Sequence, residues 1–133
     1  MTYAPTVAGG SSDGIDIAYD DGAANQTASR TVSGTGVAPA LLAISDGPTF
    51  DFGAVVATGS ADKVFTVTNT GGLQATAMGG SGLTAPFTFK GGGGYPGSGG
   101  TCGATLGASA TCTFVVTFNP TAQAPFSQTV AVG

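Results

Sequence analysis

A regular alternation of residues at 111–121 (TCTFVVTFNPT) constrains this chain more than any other stretch. Every second residue from Cys112 to Phe118 is apolar, and threonine or valine fills the positions between them. This period of two is that of a β-strand with one face in a core. Pro120 cannot donate a hydrogen bond to a ladder and ends the strand. The segment therefore predicts a half-buried β-strand.

The end of this strand recurs at the start of the chain. An offset of 115 residues aligns residues 116–121 (VTFNPT) with residues 1–6 (MTYAPT) without a gap. The same offset aligns Ser12 with Ser127, Ile15 with Val130 and Ile17 with Val132. A period of this length is about one small domain, so the chain is expected to hold one period of a tandem repeat and a short overlap. We expect residues 1–37 to be terminal strands of a preceding repeat and residues 38–133 to be a domain that lacks its final strand.

Short alternating segments separated by glycine and proline fill the rest of the chain. No window repeats apolar residues at helical spacing over three turns, so we predict an all-β fold. The number and spacing of the segments predict an immunoglobulin-like β-sandwich of about seven strands. Its last strand is expected to come from the N-terminal segment. The candidate donor residues are Arg30, Thr31, Val32, Ser33, Gly34, Thr35, Gly36 and Val37.

Three arrangements would supply that strand. The N-terminal segment would fold back into its own sandwich, as in a circular permutant. Alternatively it would fill the gap in a neighbouring copy and so join subunits head to tail. In the third arrangement the neighbouring repeats belong to one longer polypeptide. An unfilled edge would expose a row of backbone donors and acceptors, which natural proteins cover.

The composition narrows the chemistry that the chain can perform. It has no Glu, His or Trp, and its cations are Arg30, Lys63 and Lys90. The usual general acids and bases are therefore lacking, and three scattered cations make no basic track for nucleic acid. No apolar run approaches the roughly 20 residues of a membrane span. We expect neither an enzyme nor a nucleic-acid binder, and no cofactor and no membrane span.

Cys102 and Cys112 are the two cysteines of the chain, in TCGATLGASATC. Two strands joined by a turn around Gly107 would bring them together, and closing this loop is worth about 2.5–3 kcal/mol. A disulfide fits an oxidising, extracytoplasmic setting. The alternative is a pair of reduced core cysteines. Two thiols without histidine supply only half of a zinc shell, so no metal site is expected here.

Other candidate sites are weaker. Calcium binding by an acidic cluster competes with a solvated turn as the interpretation of Asp13, Asp16, Asp20 and Asp21. An isopeptide bond would need Lys63 or Lys90 beside Asn69 or Asn119, and the spacing does not demand one. The glycine-rich residues 91–100 form a surface loop in which Tyr95 and Pro96 are the candidate binding residues, with Tyr95 expected to be exposed.

Several segments together resemble a known family. They are YDDG, GTGVAPALLAIS, FDFGAVVATGS, KVFTVTNTGG and TCGATLGASATCTFVVTFNPT. These resemble the bacterial tandem immunoglobulin-like repeats related to Hydin-type domains, often found in surface proteins of the choice-of-anchor D type. The resemblance implies an immunoglobulin-like sandwich in secreted or cell-surface bacterial proteins, with a structural or adhesive role and no catalytic residues.

The leading hypothesis is an extracellular structural repeat or subunit of a bacterial surface filament or stalk. Its copies would be joined head to tail by β-strand complementation or tandem linkage, so its partners would be other copies of itself. The alternative is an adhesive module that recognises a glycan or a surface protein through its loops. Both place the protein outside the cell or on the bacterial surface.

Overall fold

The computed structural model describes residues 2–133, which form ten strands and no helix. All strand pairs are antiparallel. The all-β prediction is therefore confirmed. The chain divides into two compact units, Met1–Ala38 and Pro39–Gly133. The strands are β1 (Gly9–Asp20), β2 (Asn25–Gly36), β3 (Leu42–Ile44), β4 (Ala61–Asn69), β5 (Ala75–Thr76), β6 (Gly80–Ser81), β7 (Phe87–Phe89), β8 (Thr105–Leu106), β9 (Thr111–Phe118) and β10 (Ala131–Val132).

The first unit is a hairpin of β1 and β2. The strands pair over their whole length, from Gly9 opposite Gly36 to Asp20 opposite Asn25. Asp21 closes the turn because its carboxylate accepts hydrogen bonds from the backbone N–H groups of the next residues, an arrangement that aspartate favours. These bonds also hold the pKa of Asp21 below its ordinary 3.8. Most side chains of both strands are exposed, so this unit has little core of its own.

A four-stranded sheet in the order β3-β4-β9-β7 carries the core of the second unit. In β9 the alternation predicted from the sequence is confirmed, because all four residues of its apolar face are buried. Phe65 and Val67 of β4 lie opposite Phe114 and Cys112 of β9 and are buried as well. The Phe65 and Phe114 rings stack with centroids 5.1 Å apart. Burial of these side chains stabilises the unit by about 1.5–3 kcal/mol each.

Two short strand pairs, β5–β8 and β6–β10, contribute further residues to this core. Ala75, Met78 and Leu106 come from this part of the chain, and Val130 and Val132 pack against the same cluster. A four-stranded sheet with smaller antiparallel pairs around one core is consistent with a β-sandwich. The count of about seven strands is not confirmed, since the second unit has eight strands, six of them only two or three residues long.

Asn69 joins several loops of the second unit to the sheet. It is fully buried at the end of β4. Its side-chain oxygen accepts hydrogen bonds from the N–H groups of Leu41 and Gly71, and its amide nitrogen donates to the carbonyls of Leu73, Leu106 and Gly107. Gly71 is required beside it, because a Cβ there would lie 2.6 Å from the Cα of Ala40. Asn69 therefore joins the segments at residues 41, 71–73 and 106–107 to the end of β4.

Candidate strand-acceptor groove

An apolar groove of about 1280 Å³ lies in the unit Pro39–Gly133. Its floor is formed by side chains from β4, β7 and β9. One side is formed by residues 47–57, called here the first wall, and the other by residues 122–130, called the second wall. The floor residues are Phe65, Phe87, Val116 and Phe118. The floor side chains are buried, and the exposed apolar surface of the groove comes from its walls, at Phe50, Val56 and Phe126.

Several aromatic rings line the groove and contact one another. The Phe118 ring is buried, with its centroid 4.7 Å from that of Phe87 and 5.6 Å from that of Phe52 in the first wall. Phe126 in the second wall is 6.0 Å from Phe118 in an edge-to-face arrangement and remains 37% exposed. A surface of this kind is typical of a binding site, because exposed apolar patches are otherwise disfavoured in soluble proteins.

Neither wall belongs to a β-ladder. Within the described part of the chain, residues 46–55 and 121–130 make no hydrogen bond from backbone to backbone. Local sequence explains this in part, because Pro48 and Pro125 have no N–H to donate. In addition, the N–H of Gly53 bonds the Asp51 side chain at 2.8 Å in a local turn. Phe50 and Phe52 alternate as strand residues do, but they lie in no strand.

The second wall leads into β10 and leaves one of its edges free. Gly133 and Gly79 exchange two backbone hydrogen bonds of 2.7 and 3.2 Å, which attach the other edge of β10 to β6. Successive residues of a strand direct their backbone groups to opposite edges. Val132 therefore directs its backbone groups away from β6, and in an extended continuation of β10 Val130 and Gln128 would do the same. Among residues 2–133 nothing pairs with that edge, so its donors and acceptors are available to an added strand.

The rim of the groove carries one charged residue among its described lining residues, Asp51. Close to it, Lys63 lies 4.4 Å from the centroid of the Phe50 ring and forms a salt bridge of 2.7 Å with Asp46. The hydrogen bond from Lys63 is the main cause that holds the pKa of Asp46 below its ordinary 3.8. Lys63 is thereby engaged with the first wall, and Asp51 has no cationic partner in residues 2–133.

The predicted disulfide is present. Cys102 and Cys112 are bonded, with their Cα atoms 4.8 Å apart. The N–H groups of Thr101 and Cys102 donate to the carbonyl of Thr113 at 2.8 and 3.0 Å, which holds the first cysteine against β9. The strand β8 pairs with β5 and not with β9, so the hairpin expected around Gly107 is wrong although the bond is correct.

Tyr95 does not occupy the exposed position expected for a binding loop. Its ring lies 5.8 Å from that of Phe89 and 6.2 Å from that of Phe114, measured between centroids, against the core. Burial raises the pKa of Tyr95, and its hydroxyl has no hydrogen-bond partner in residues 2–133. Pro96 is half-buried, and its carbonyl accepts from the N–H of Val115 at 2.9 Å. These two residues thus attach the loop to the sheet.

The candidate donor residues and the candidate calcium ligands lie in the first unit. The donor candidates, residues 30–37, fall on β2 and its C-terminal neighbour, where β2 pairs with β1. The aspartates considered for calcium are exposed on β1 and its turn, and the described residues hold no cluster of three or more acidic, cysteine or histidine ligands. Residues 2–133 also contain no helix with the length and hydropathy of a membrane span.

Lys90, one of the two lysines considered for an isopeptide bond, lies in the second unit and forms a salt bridge of 2.9 Å with Asp62.

Comparison with known proteins gave no match: no family model, no curated protein and no solved structure is similar to this chain. The features of this chain that bear on its function are the groove, the free edge of β10 and the alignment of its two ends. The alignment is visible in the sequence, and the groove is not.

Proposed function

We propose that this protein is a structural subunit of an extracellular bacterial filament or stalk, whose copies join head to tail by β-strand complementation. The observation that carries the proposal is the groove between the two unpaired walls. An inserted strand would pair with the free edge at Gln128 and Val130 and cover the exposed part of the Phe126 ring. Its backbone would supply the hydrogen bonds and its side chains the apolar contacts, as in other cases of strand addition.

The energetics favour an occupant in this groove. Each ladder hydrogen bond contributes about 0.5–1.5 kcal/mol, and burial of exposed apolar surface contributes about 25 cal/mol per Å². A free, apolar edge that stays open would also promote uncontrolled aggregation. Filling the groove with a defined strand from another copy replaces that hazard by a directed, head-to-tail contact.

The disulfide and the composition support the extracellular setting of the proposal. A disulfide between Cys102 and Cys112 persists in oxidising compartments and is rare in the cytosol. Charged residues make up 8% of the chain, and residues of both signs are few. With so few ionisable groups, chain-to-chain contacts would depend on strand pairing and apolar burial.

The test is the mass of the purified chain by light scattering over a wide range of concentration, with electron microscopy of the same samples. Two proline variants test whether the association uses the free edge. Gln128→Pro removes an N–H from the free edge, whereas Thr129→Pro removes one that points to the opposite edge. We expect the wild type and Thr129→Pro to form a ladder of multiples or filaments, and Gln128→Pro to remain smaller.

Either of two results would count against the proposal. A wild-type chain that stays monomeric at every concentration would exclude self-assembly. Equal association of the two proline variants would show that the contact does not use the free edge. Circular dichroism of each variant checks that the β-structure is retained, so that a loss of assembly is not mistaken for a loss of folding.

A further inference from the structure

We infer that the groove binds β2 of a second copy in one register, the register that β2 has against β1 in its own hairpin. This inference rests on the proposed function and adds the identity and alignment of the bound strand. In the bound state the segment 124–133 of the acceptor takes the place of β1. Ser33 of the donor then lies opposite Ser127 of the acceptor.

The first unit supplies the template for this contact. The offset of 115 residues that relates the two ends of the chain equates Tyr3 with Phe118 and Pro5 with Pro120. In the hairpin unit the Tyr3 ring covers Gly34, so closely that a Cβ on Gly34 would lie 2.8 Å from it. The Pro5 side chain is likewise 2.8 Å from a Cβ built on Gly36. The same two glycines would let a donor strand lie against Phe118 and Pro120 of the groove.

The backbone directions agree with this equivalence. The backbone N–H of Asp21 donates to the carbonyl of Ala24 at 3.1 Å, where the hairpin turn begins. Because backbone groups alternate between the two edges of a strand, the odd-numbered residues of β1 direct theirs towards β2. The odd offset converts these positions to even ones, for example Ile15 to Val130. Even-numbered residues are those that face the free edge of the second wall. The acceptor therefore presents to the donor the same edge that β1 presents to β2.

The side-chain faces agree as well. Ile15 is half-buried on the side of the hairpin covered by Tyr3, and its equivalent Val130 packs against the sandwich core. Phe126 lies four residues before Val130, on the same face of an extended chain, and contacts Phe118. Ser12 and Ser127 lie on the other face and are exposed. One register thus satisfies both the hydrogen-bonding edge and the buried face.

Charge selects β2 over β1 as the occupant. Arg30 is the only charged residue of β2, and Asp51 is the only one among the described lining residues of the groove. The signs are opposite, which favours the correct partner and orientation. In contrast β1 carries three aspartates and no cation, and would add negative charge beside Asp51.

The exchange is favourable because little is lost from the donor. An isolated two-stranded hairpin is marginally stable in water, and the side chains of β1 and β2 are mostly exposed. Release of β1 breaks an antiparallel ladder of twelve residue pairs, and pairing with acceptor residues 124–133 forms one of ten. The new ladder also covers the groove, so apolar burial offsets the two pairs that are lost.

Disulfide trapping between two differently substituted chains tests the register. One chain carries Ser33→Cys and the other Ser127→Cys. The native cysteines are bonded to each other and none is free among residues 2–133, so only the new thiols react. Because Ser33 lies opposite Ser12 in the hairpin, these two cysteines should come within disulfide range. Trypsin releases the linked product as peptides 31–63 and 91–133, which mass spectrometry identifies.

A second matched pair and a mismatched pair complete the design. Thr31 lies opposite Gly14, the equivalent of Thr129, so Thr31→Cys should also link to Thr129→Cys. Ser33→Cys with Thr129→Cys is displaced by two residues, at about 7–8 Å between Cα atoms, and should lose the cross-link. A chain that carries both Ser33→Cys and Ser127→Cys should form multimers on oxidation.

Each outcome decides a different point. Linkage of the mismatched pair in preference to the matched pairs would overturn the register and leave assembly intact. No linkage of any pair under conditions where the wild type assembles would overturn β2 as the occupant. Closure of the doubly substituted chain into a linked monomer would overturn the second copy as the source of the strand. If the wild type does not associate at all, the proposed function fails first.

Discussion

Replacement of Asn69 by alanine should strongly destabilise the unit Pro39–Gly133. The Asn69 side chain is 0% exposed and makes five hydrogen bonds, all to backbone groups. Alanine leaves the N–H groups of Leu41 and Gly71 without an acceptor, and the Gly71 donor is buried. Each buried donor that loses its partner costs about 1–3 kcal/mol, and carbonyls that lose a donor cost less. We expect a loss of about 3–5 kcal/mol.

This loss is large compared with the total stability of about 5–15 kcal/mol that is usual for a domain. Urea unfolding followed by circular dichroism measures it, since a shift of the midpoint at constant slope reports a change in the free energy of unfolding. Asn119→Ala is the matched control. Asn119 is exposed and its side chain makes no hydrogen bond within residues 2–133, so its replacement should change stability by less than about 0.5 kcal/mol.

Asn69→Asp separates hydrogen bonding from packing. It keeps the volume of the side chain and replaces the donating nitrogen by an oxygen that faces the carbonyls of Leu73, Leu106 and Gly107. We expect it to be at least as destabilising as alanine, because acceptors then face acceptors. A loss below about 1 kcal/mol for Asn69→Ala, or a mild effect of Asn69→Asp, would refute the assignment of Asn69 as the tie between these loops.

Three further predictions concern other contacts of the same unit. Reduction of the Cys102–Cys112 bond should lower the free energy of unfolding by about 2.5–3 kcal/mol, measured in urea with and without reductant, and an unchanged midpoint would contradict it. Tyr95→Phe removes a buried hydroxyl without a partner in residues 2–133, so stability should be unchanged or higher by up to about 2 kcal/mol, whereas a clear fall would indicate a hidden partner. Hydrogen bonds, first from Thr117 and then from Lys90, lower the pKa of Asp62 below its ordinary 3.8, so its contribution is present above that pH and is lost as the pH falls through the lowered value. The acid loss of stability should therefore be smaller in Asp62→Asn than in the wild type, and superimposable curves would exclude this role.

The sequence identified those features that depend on local pattern. The strand β9 was predicted because one of its faces alternates into the core, and the burial of that face confirms it. The disulfide was predicted because two cysteines lay close in the chain within an all-β context, and it is present. In each case the necessary information lies within about ten residues, which a reading of periodicity detects.

Features that depend on distant partners were not predictable in this way. Phe50 and Phe52 alternate as a strand would, and both rings do contact the aromatic cluster. They form no ladder, since no backbone hydrogen bond joins residues 46–55 to another segment of residues 2–133. Alternation therefore predicted which side chains face the core, while strand formation also required a neighbour that the pattern cannot specify.

Individual polar residues in the interior were also missed. Tyr95 follows four glycines, and that context suggested an exposed loop, whereas the ring closes one end of the core. Asn69 precedes Thr-Gly-Gly as a turn residue would, and nothing in the sequence distinguishes it from exposed asparagines such as Asn119. The number of backbone groups that a side chain satisfies is a property of the folded loops and not of the local sequence.

The internal repeat is what makes the free edge informative. An unpaired edge alone would accept many strands, because backbone pairing is nearly independent of sequence. Here the offset of 115 residues aligns two segments of one chain, of which β1 is paired and residues 124–130 are not. Because β1 pairs with β2, the alignment predicts that β2 pairs with residues 124–130 in the same direction and register. An odd change in the offset would turn Val130 and Phe126 away from the core, and a two-residue change would separate Ser33 from Ser127. The pairing of Ser33 with Ser127 across two chains is therefore the measurement on which both the repeat and the assembly depend.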